Sequence, residues 1–146
     1  MTQLTRVFDD LIRFEIELWN AVNERLRGDL GLPLGRFQAM EVIARLETCR
    51  IHDIAEDMVI TVGGASKLVD RIEASGHCTR RPNPNDRRSS LITLTSTGST
   101  LLAAATTCVE TELQHRIGSV LPPLDLQQLG TSLAQLRSAL HATTTP

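Results

Sequence analysis

Apolar residues recur at helical intervals along most of this chain, and the intervals change where the chain turns. Over residues 4–30, Val7, Phe8, Leu11, Trp19, Val22 and Leu26 share one broad face, which predicts a long amphipathic helix. Glu15 lies near the middle of that face, where a carboxylate needs a partner or water; an internal ion pair with an arginine is the expectation. Leu32-Pro33-Leu34-Gly35 breaks the pattern. A second helix over about 35–47 has Phe37, Met40, Ile43 and Ala44 on one side and Ala39, Val42 and Leu46 on the other, so it should be packed on both. Thr48 to Ile51 reads as a connector with a single bridging strand, and a compact helix follows over about 52–58 with Ile54, Ala55 and Met58 inward.

The stretch from Thr61 to Thr95 organises the rest. Ala65, Leu68, Val69 and Ile72 form the inner stripe of a helix that Thr61 caps and Gly76 ends. Its outer face holds Gly63, Ser66, Lys67, Asp70, Arg71 and Ala74. With the short helix before it, this is a helix-turn-helix over about 52–75. Arg80 and Arg81, a turn over Pro82 to Asp86, Arg87 and Arg88, and a strand-like run from Ser89 to Thr95 then predict a basic hairpin over about 77–95. Thr95 caps a further helix over about 96–118, striped by Leu101, Leu102, Ala105, Cys108, Val109 and Leu113. After Leu121-Pro122-Pro123, Asp125 and Gln128 have capping-box spacing. Leu126, Leu129, Leu133, Leu136 and Leu140 then repeat at heptad intervals on a helix of about sixteen residues, with a frayed tail from Ala142 to Pro146.

Composition narrows the classes. With 41% hydrophobic residues but only 3% aromatic ones, aliphatic side chains must build the core of the 146-residue chain. A net charge of −2 is not that of a bulk nucleic-acid binder, so any such role needs locally concentrated cations. Five of the fifteen cations lie between Arg71 and Arg88, with Lys67 just outside. No apolar run is long enough to span a membrane and the N-terminus lacks a signal core, so a cytoplasmic protein is expected. Cys49, Cys78 and Cys108, odd in number and scattered, fit a reducing compartment rather than a disulfide framework. The first, fifth and last helices are more apolar than a small winged domain can cover, and a second copy of the chain is the simplest cover.

The central half, IAEDMVITVGGASKLVDRIEASG followed by RRPNPNDRRSSLITLTSTG, resembles the MarR family of winged-helix regulators. The matching positions are Leu68, Val69, Asp70, Arg71, Ile72, Glu73, Gly76, Arg80, Asp86, Arg88, Leu94, Thr95 and Gly98. The resemblance implies a mainly α protein with a small β-hairpin wing, a homodimer, and binding to a pseudo-palindromic double-stranded DNA operator. It also implies a repressor released by a small-molecule effector, aromatic or acidic, or by thiol oxidation. The corresponding division is an N-terminal dimerisation helix over 1–34, a DNA-binding domain over 35–98 and C-terminal dimerisation helices over 99–146. Two departures stand out: Gly63 and Gly64 replace larger residues on the recognition helix, and His77 replaces an aliphatic one.

The expected DNA contacts are Thr61, Gly63, Gly64, Ser66, Lys67 and Arg71 on the helix and Arg80, Arg81, Arg87 and Arg88 on the wing. Arg88 is assigned to the minor groove, and Asp86 is expected to shape the wing by pairing with an arginine; Asp70 is expected in an intramolecular ion pair. Arg13, Glu15, Trp19, Phe37, Met40 and His52 are the effector-pocket candidates, although core packing explains Trp19, Phe37 and Met40 as well. Val7 and Leu11 with Leu126, Leu129, Leu133, Leu136 and Leu140 are assigned to dimerisation. Cys78, beside His77 and near arginines, is the best placed thiol for a redox response. His52, His77, His115 and His141 lack metal-ligand spacing, no cofactor is implied, and no phosphate loop, nucleophile elbow or paired acid-base constellation points to an enzyme. The bare Gly63-Gly64 surface leaves open a dimeric interaction module that has lost DNA.

Overall fold

The computed structural model describes residues 1–143. It comprises two compact units, Met1–Val109 and the segment from Glu110 onward. The first unit holds α1 (Gln3–Leu30), α2 (Leu34–Arg45), α3 (Ile51–Met58), α4 (Val62–Ala74), β1 (Cys78–Asn83), β2 (Asp86–Leu94) and most of α5 (Ser96–Leu113). The second holds the end of α5, a π-helical turn over Gln114–Gly118 and α6 (Pro123–Thr143). The mainly helical fold with a two-stranded antiparallel hairpin is the winged helix-turn-helix that the sequence predicts.

Local chemistry sets the element ends. The Thr2 side chain caps α1, and Gly31 closes it in the left-handed region at φ 65°, its N–H donating to Arg27 O at 2.9 Å. Pro33 cannot cap α2 with a side chain; instead Asn23 Oδ1 on α1 accepts the Leu34 N–H at 2.9 Å. At the start of α3, Asp53 accepts the Arg50 N–H at 2.9 Å and also binds its guanidinium, which holds the Asp53 carboxyl below its ordinary range. α3 ends on Val59 at φ 56°, a conformation that costs a β-branched residue roughly 1–2 kcal/mol. The turn is held by the Val59 N–H to Glu56 O at 3.3 Å and the Ile60 N–H to Ala55 O at 3.0 Å.

α2 is the centre of the first unit, touching α1, α3, α4 and β2. Leu34, Phe37, Ala39, Met40, Val42 and Ile43 are all buried, so both its faces are packed as its pattern requires. Val22 and Leu26 of α1, Ile54 and Ala55 of α3, and Ala65, Val69 and Ile72 of α4 close around it. Cys49 bridges to Ile92 of β2, making the connector a one-residue strand, and both side chains are buried.

Several expectations are corrected. Ala44 is exposed, because α2 ends at Arg45 and its last turn leaves the core. Ile51 already belongs to α3, and β2 begins at Asp86 rather than Ser89. Glu15 is exposed and forms no ion pair among the described residues: the α1 face it shares is covered only at Val22 and Leu26, so water solvates the carboxylate. α5 gives way to the π-helical turn after Leu113 instead of running to 118. Asp125 lies inside the first turn of α6, which starts two residues earlier on Pro123, a residue preorganised for that place, so it is not the cap. α6 has 21 residues and includes Ala142 and Thr143; the rest of the tail assigned as frayed lies outside the described residues. Spacing did not reveal Glu112, which is 7% exposed and accepts from Arg116 Nε at 2.9 Å one turn on. Among the described residues no helix is long and apolar enough to cross a membrane.

Candidate nucleic-acid interface

The Thr61 hydroxyl accepts the Gly64 N–H at 3.0 Å and so starts α4 where the sequence places it. The N–H groups of Val62 and Gly63, also in the first turn, have no helical partner and point toward any anion beyond the helix end. A Cβ at Gly63 would meet nothing within 4 Å, whereas one at Gly64 would lie 3.2 Å from Thr61 Oγ1. The second glycine therefore makes room for the cap, and the first simply leaves the helix surface bare. Gly63→Ala should accordingly raise stability by about 0.5–1 kcal/mol, read as an increased Tm, because it restrains the unfolded chain without a clash.

Lys67 and Arg71 follow along the exposed side of α4, and neither engages a carboxylate among the described residues. Ser66 is half-buried beside them. Asp70 binds Arg80 Nη2 at 2.6 Å, the intramolecular pair that its position suggests. Arg80 is thereby committed to holding the base of the wing against α4, in line with β1 packing on that helix. Strand alternation turns Arg81 the other way, to solvent.

The wing tip is more irregular than the expected turn. Cys78 to Pro82 pair in register with Leu94 to Ser90, but Asn83 pairs with Asp86, so Arg87, Arg88 and Ser89 bulge out of the ladder. Two short side chains hold this shape. Asn83 Oδ1 accepts the Asn85 N–H at 3.0 Å, and its amide nitrogen donates to Ser89 Oγ at 3.0 Å. Asp86 Oδ1 accepts the Arg88 N–H at 2.9 Å. Asp86 thus binds the arginine's backbone and not a guanidinium, correcting the expected ion pair: the tight turn brings that N–H closer than any arginine side chain. Arg87 and Arg88 project from the bulge, exposed and without a carboxylate partner among the described residues. Asn83, an amide at the start of a turn, is a further wing-shaping residue whose signal is legible in the sequence.

The remaining candidates separate. Phe37 and Met40 are 3% and 0% exposed and belong to the core, because α2 is packed on both sides. His52 and Arg13 are exposed. Glu15 and Trp19 share a shallow surface hollow with Ile16 and Asn20, all on α1. Cys78 is 1% exposed, its thiol aimed at Val69 O at 3.9 Å. Burial pushes it up to about 11 and the nearby Glu73 adds to this, against a smaller opposite effect of Arg80. Cys49 is raised to about 11 as well, first by burial. Neither thiol has the lowered pKa and access that a redox sensor needs, so the assignment to Cys78 is withdrawn.

A helix-turn-helix with an arginine-bearing hairpin against it defines the winged-helix class. Residues 32–90, from the approach to α2 into β2, match the sequence model of the MarR family. The uncharacterized HTH-type transcriptional regulator YfiV of Bacillus subtilis (strain 168) is 31% identical over 74 residues, 51% of this chain, and the match spans about half (45%) of that relative's length. Sco3205, a MarR family transcriptional regulator from Streptomyces coelicolor solved in complex with DNA, has a TM-score of 0.88 at 22% identity, over 96% of this chain and 89% of its own. A mutant MarR from E. coli complexed with operator DNA gives 0.80 at 20% identity, over 93% and 99%. At these identities the likeness shows the fold.

Proposed function

We propose that this protein is a sequence-specific, double-stranded DNA-binding transcriptional regulator. In this reading it is a repressor that acts as a homodimer on a pseudo-palindromic operator and lets go when a small molecule binds. The observation that carries the DNA part is the set of uncommitted cations, Lys67 and Arg71 on α4 and Arg81, Arg87 and Arg88 on the wing, in a chain whose net charge is −2. Of the acidic residues among them, Asp70 is bound to Arg80 and Asp86 to a backbone N–H. Relatives of the same fold have been solved on DNA, which supports the same use here.

The homodimer is supported by apolar side chains left uncovered within each unit. Val7, Phe8, Leu11 and Ile12 are exposed on α1, and Leu126, Leu129, Leu133, Leu136 and Leu140 on α6. Such faces mark association surfaces. On this reading residues 1–34 and 99–146 join two copies and residues 35–98 bind DNA. For the effector, the exposed Trp19 beside Glu15 offers an aromatic edge and a carboxylate on α1, and Arg13 supplies a cation on the same helix. An aromatic or acidic compound that prefers the DNA-incompetent arrangement would shift the population by that preference alone.

Arg88→Ala tests the assignment. Its side chain is exposed and its backbone role is independent of the guanidinium, so the fold should survive. Duplex binding should weaken by about 1–3 kcal/mol in a gel-shift titration. Unchanged affinity with an unchanged circular dichroism spectrum would remove Arg88 from the interface.

A further inference from the structure

The turn before α4 and the helix's first residue expose aliphatic side chains where a DNA-reading helix needs polar ones. Val59 is 72% exposed, Ile60 37% and Val62 53%. The polar side chains beside Val62 are few: the exposed Thr61 before it and the half-buried Ser66 one turn on. Gly63 is bare with open space over it, and Gly64 is closed in by the Thr61 hydroxyl, which already accepts the Gly64 N–H. The first turn of α4 therefore has almost no side-chain donor or acceptor with which to address a base edge.

Base pairs present one apolar group in the major groove, the 5-methyl of thymine. An aliphatic side chain at the leading end of the helix, with a bare glycine next to it that permits close approach, is complementary to that group. The alternative occupant of an apolar patch is a protein. Charge argues against it: the next exposed positions along α4 are Lys67, Asp70 and Arg71, of which Asp70 is neutralised by Arg80, and the free Val62 and Gly63 N–H groups also favour an anion. We propose that Val62 is a specificity-determining residue that reads thymine 5-methyl groups in the major groove, with Gly63 kept bare to admit the base edge. This rests on the DNA-binding reading above, and the test separates the two.

The full chain is used to enrich duplexes from a randomised pool at low salt. The preferred duplex is then made again with deoxyuridine in place of thymidine, which removes only the methyl groups. Wild-type protein should bind the deoxyuridine duplex about fourfold more weakly for each contacted methyl, and tenfold or more if both half-sites are read. Val62→Ser, an exposed change at a helix start, should bind the two duplexes equally and keep its salt dependence; the pairing of protein and DNA changes isolates the contact. Equal binding of both duplexes by wild type overturns the proposal while DNA binding stands. So does a Val62→Ser variant that retains the wild-type ratio. Failure to enrich any duplex removes the DNA-binding reading and this proposal with it.

Discussion

Raising salt from about 50 to 200 mM should weaken duplex binding by about 10³–10⁵-fold, a change measurable by fluorescence anisotropy. The size follows from the number of cations free to meet phosphate. Each protomer offers Lys67, Arg71, Arg81, Arg87 and Arg88, whereas Arg80 is taken by Asp70. Two protomers on one operator would then neutralise roughly six to ten phosphates, each contributing about −0.9 to the slope of log K against log salt. Removing Arg87 should reduce that slope by about two per dimer, one unit for each copy. The same experiment distinguishes a regulator from an interaction module. A partner held through the aliphatic side chains of α1 or α6 would be indifferent to salt, because apolar burial carries no counterions. A slope near zero with every duplex would therefore leave the basic wing as a solvated loop.

Much of this interface could be read from spacing alone, because its signals are local. The cap at Thr61, the stop at Gly76, the two-sided packing of α2 and the single bridging residue in the connector each depend on a few neighbours in sequence. What escaped depends on the register between segments. Whether Arg80 or Arg81 turns toward Asp70 is decided by where β1 starts, and the same alternation that sends Arg80 to α4 buries Cys78 against Val69. Proximity to arginines in the sequence made that thiol look reactive; strand parity makes it a core side chain. The bulge at Arg87 to Ser89 escaped likewise, since the ladder skips residues only because Asn83 and Asp86 satisfy backbone groups at the tip. On α1, apolar spacing identified a face that is buried within the chain only at Val22 and Leu26, and it could not say what covers the rest, where Glu15 and its apolar neighbours are exposed.

Gly98→Ala should cost about 2–3 kcal/mol and lower Tm on the order of 5–10 °C, although alanine is the better helix former. A Cβ at this position would lie 2.0 Å from His77 O and 2.9 Å from His77 C, which are backbone atoms with no rotamer to escape into. That carbonyl is already fixed, since it accepts the Thr95 N–H at 3.0 Å. Thr95 in turn donates its hydroxyl to Gly76 O at 2.7 Å and accepts the Gly98 N–H at 3.0 Å. One threonine and two glycines thus join the end of α4, the base of the wing and the start of α5, so a shift at Gly98 is transmitted to the wing arginines. The control is Gly28→Ala near the end of α1, where a Cβ meets nothing within 4 Å. There only the propensity gain of up to about 1 kcal/mol operates, and Tm should rise. Thermal melts of the two variants should therefore move in opposite directions, and weaker duplex binding should accompany only the Gly98 change. If both variants gained stability, the tight junction beneath the wing would not exist in solution.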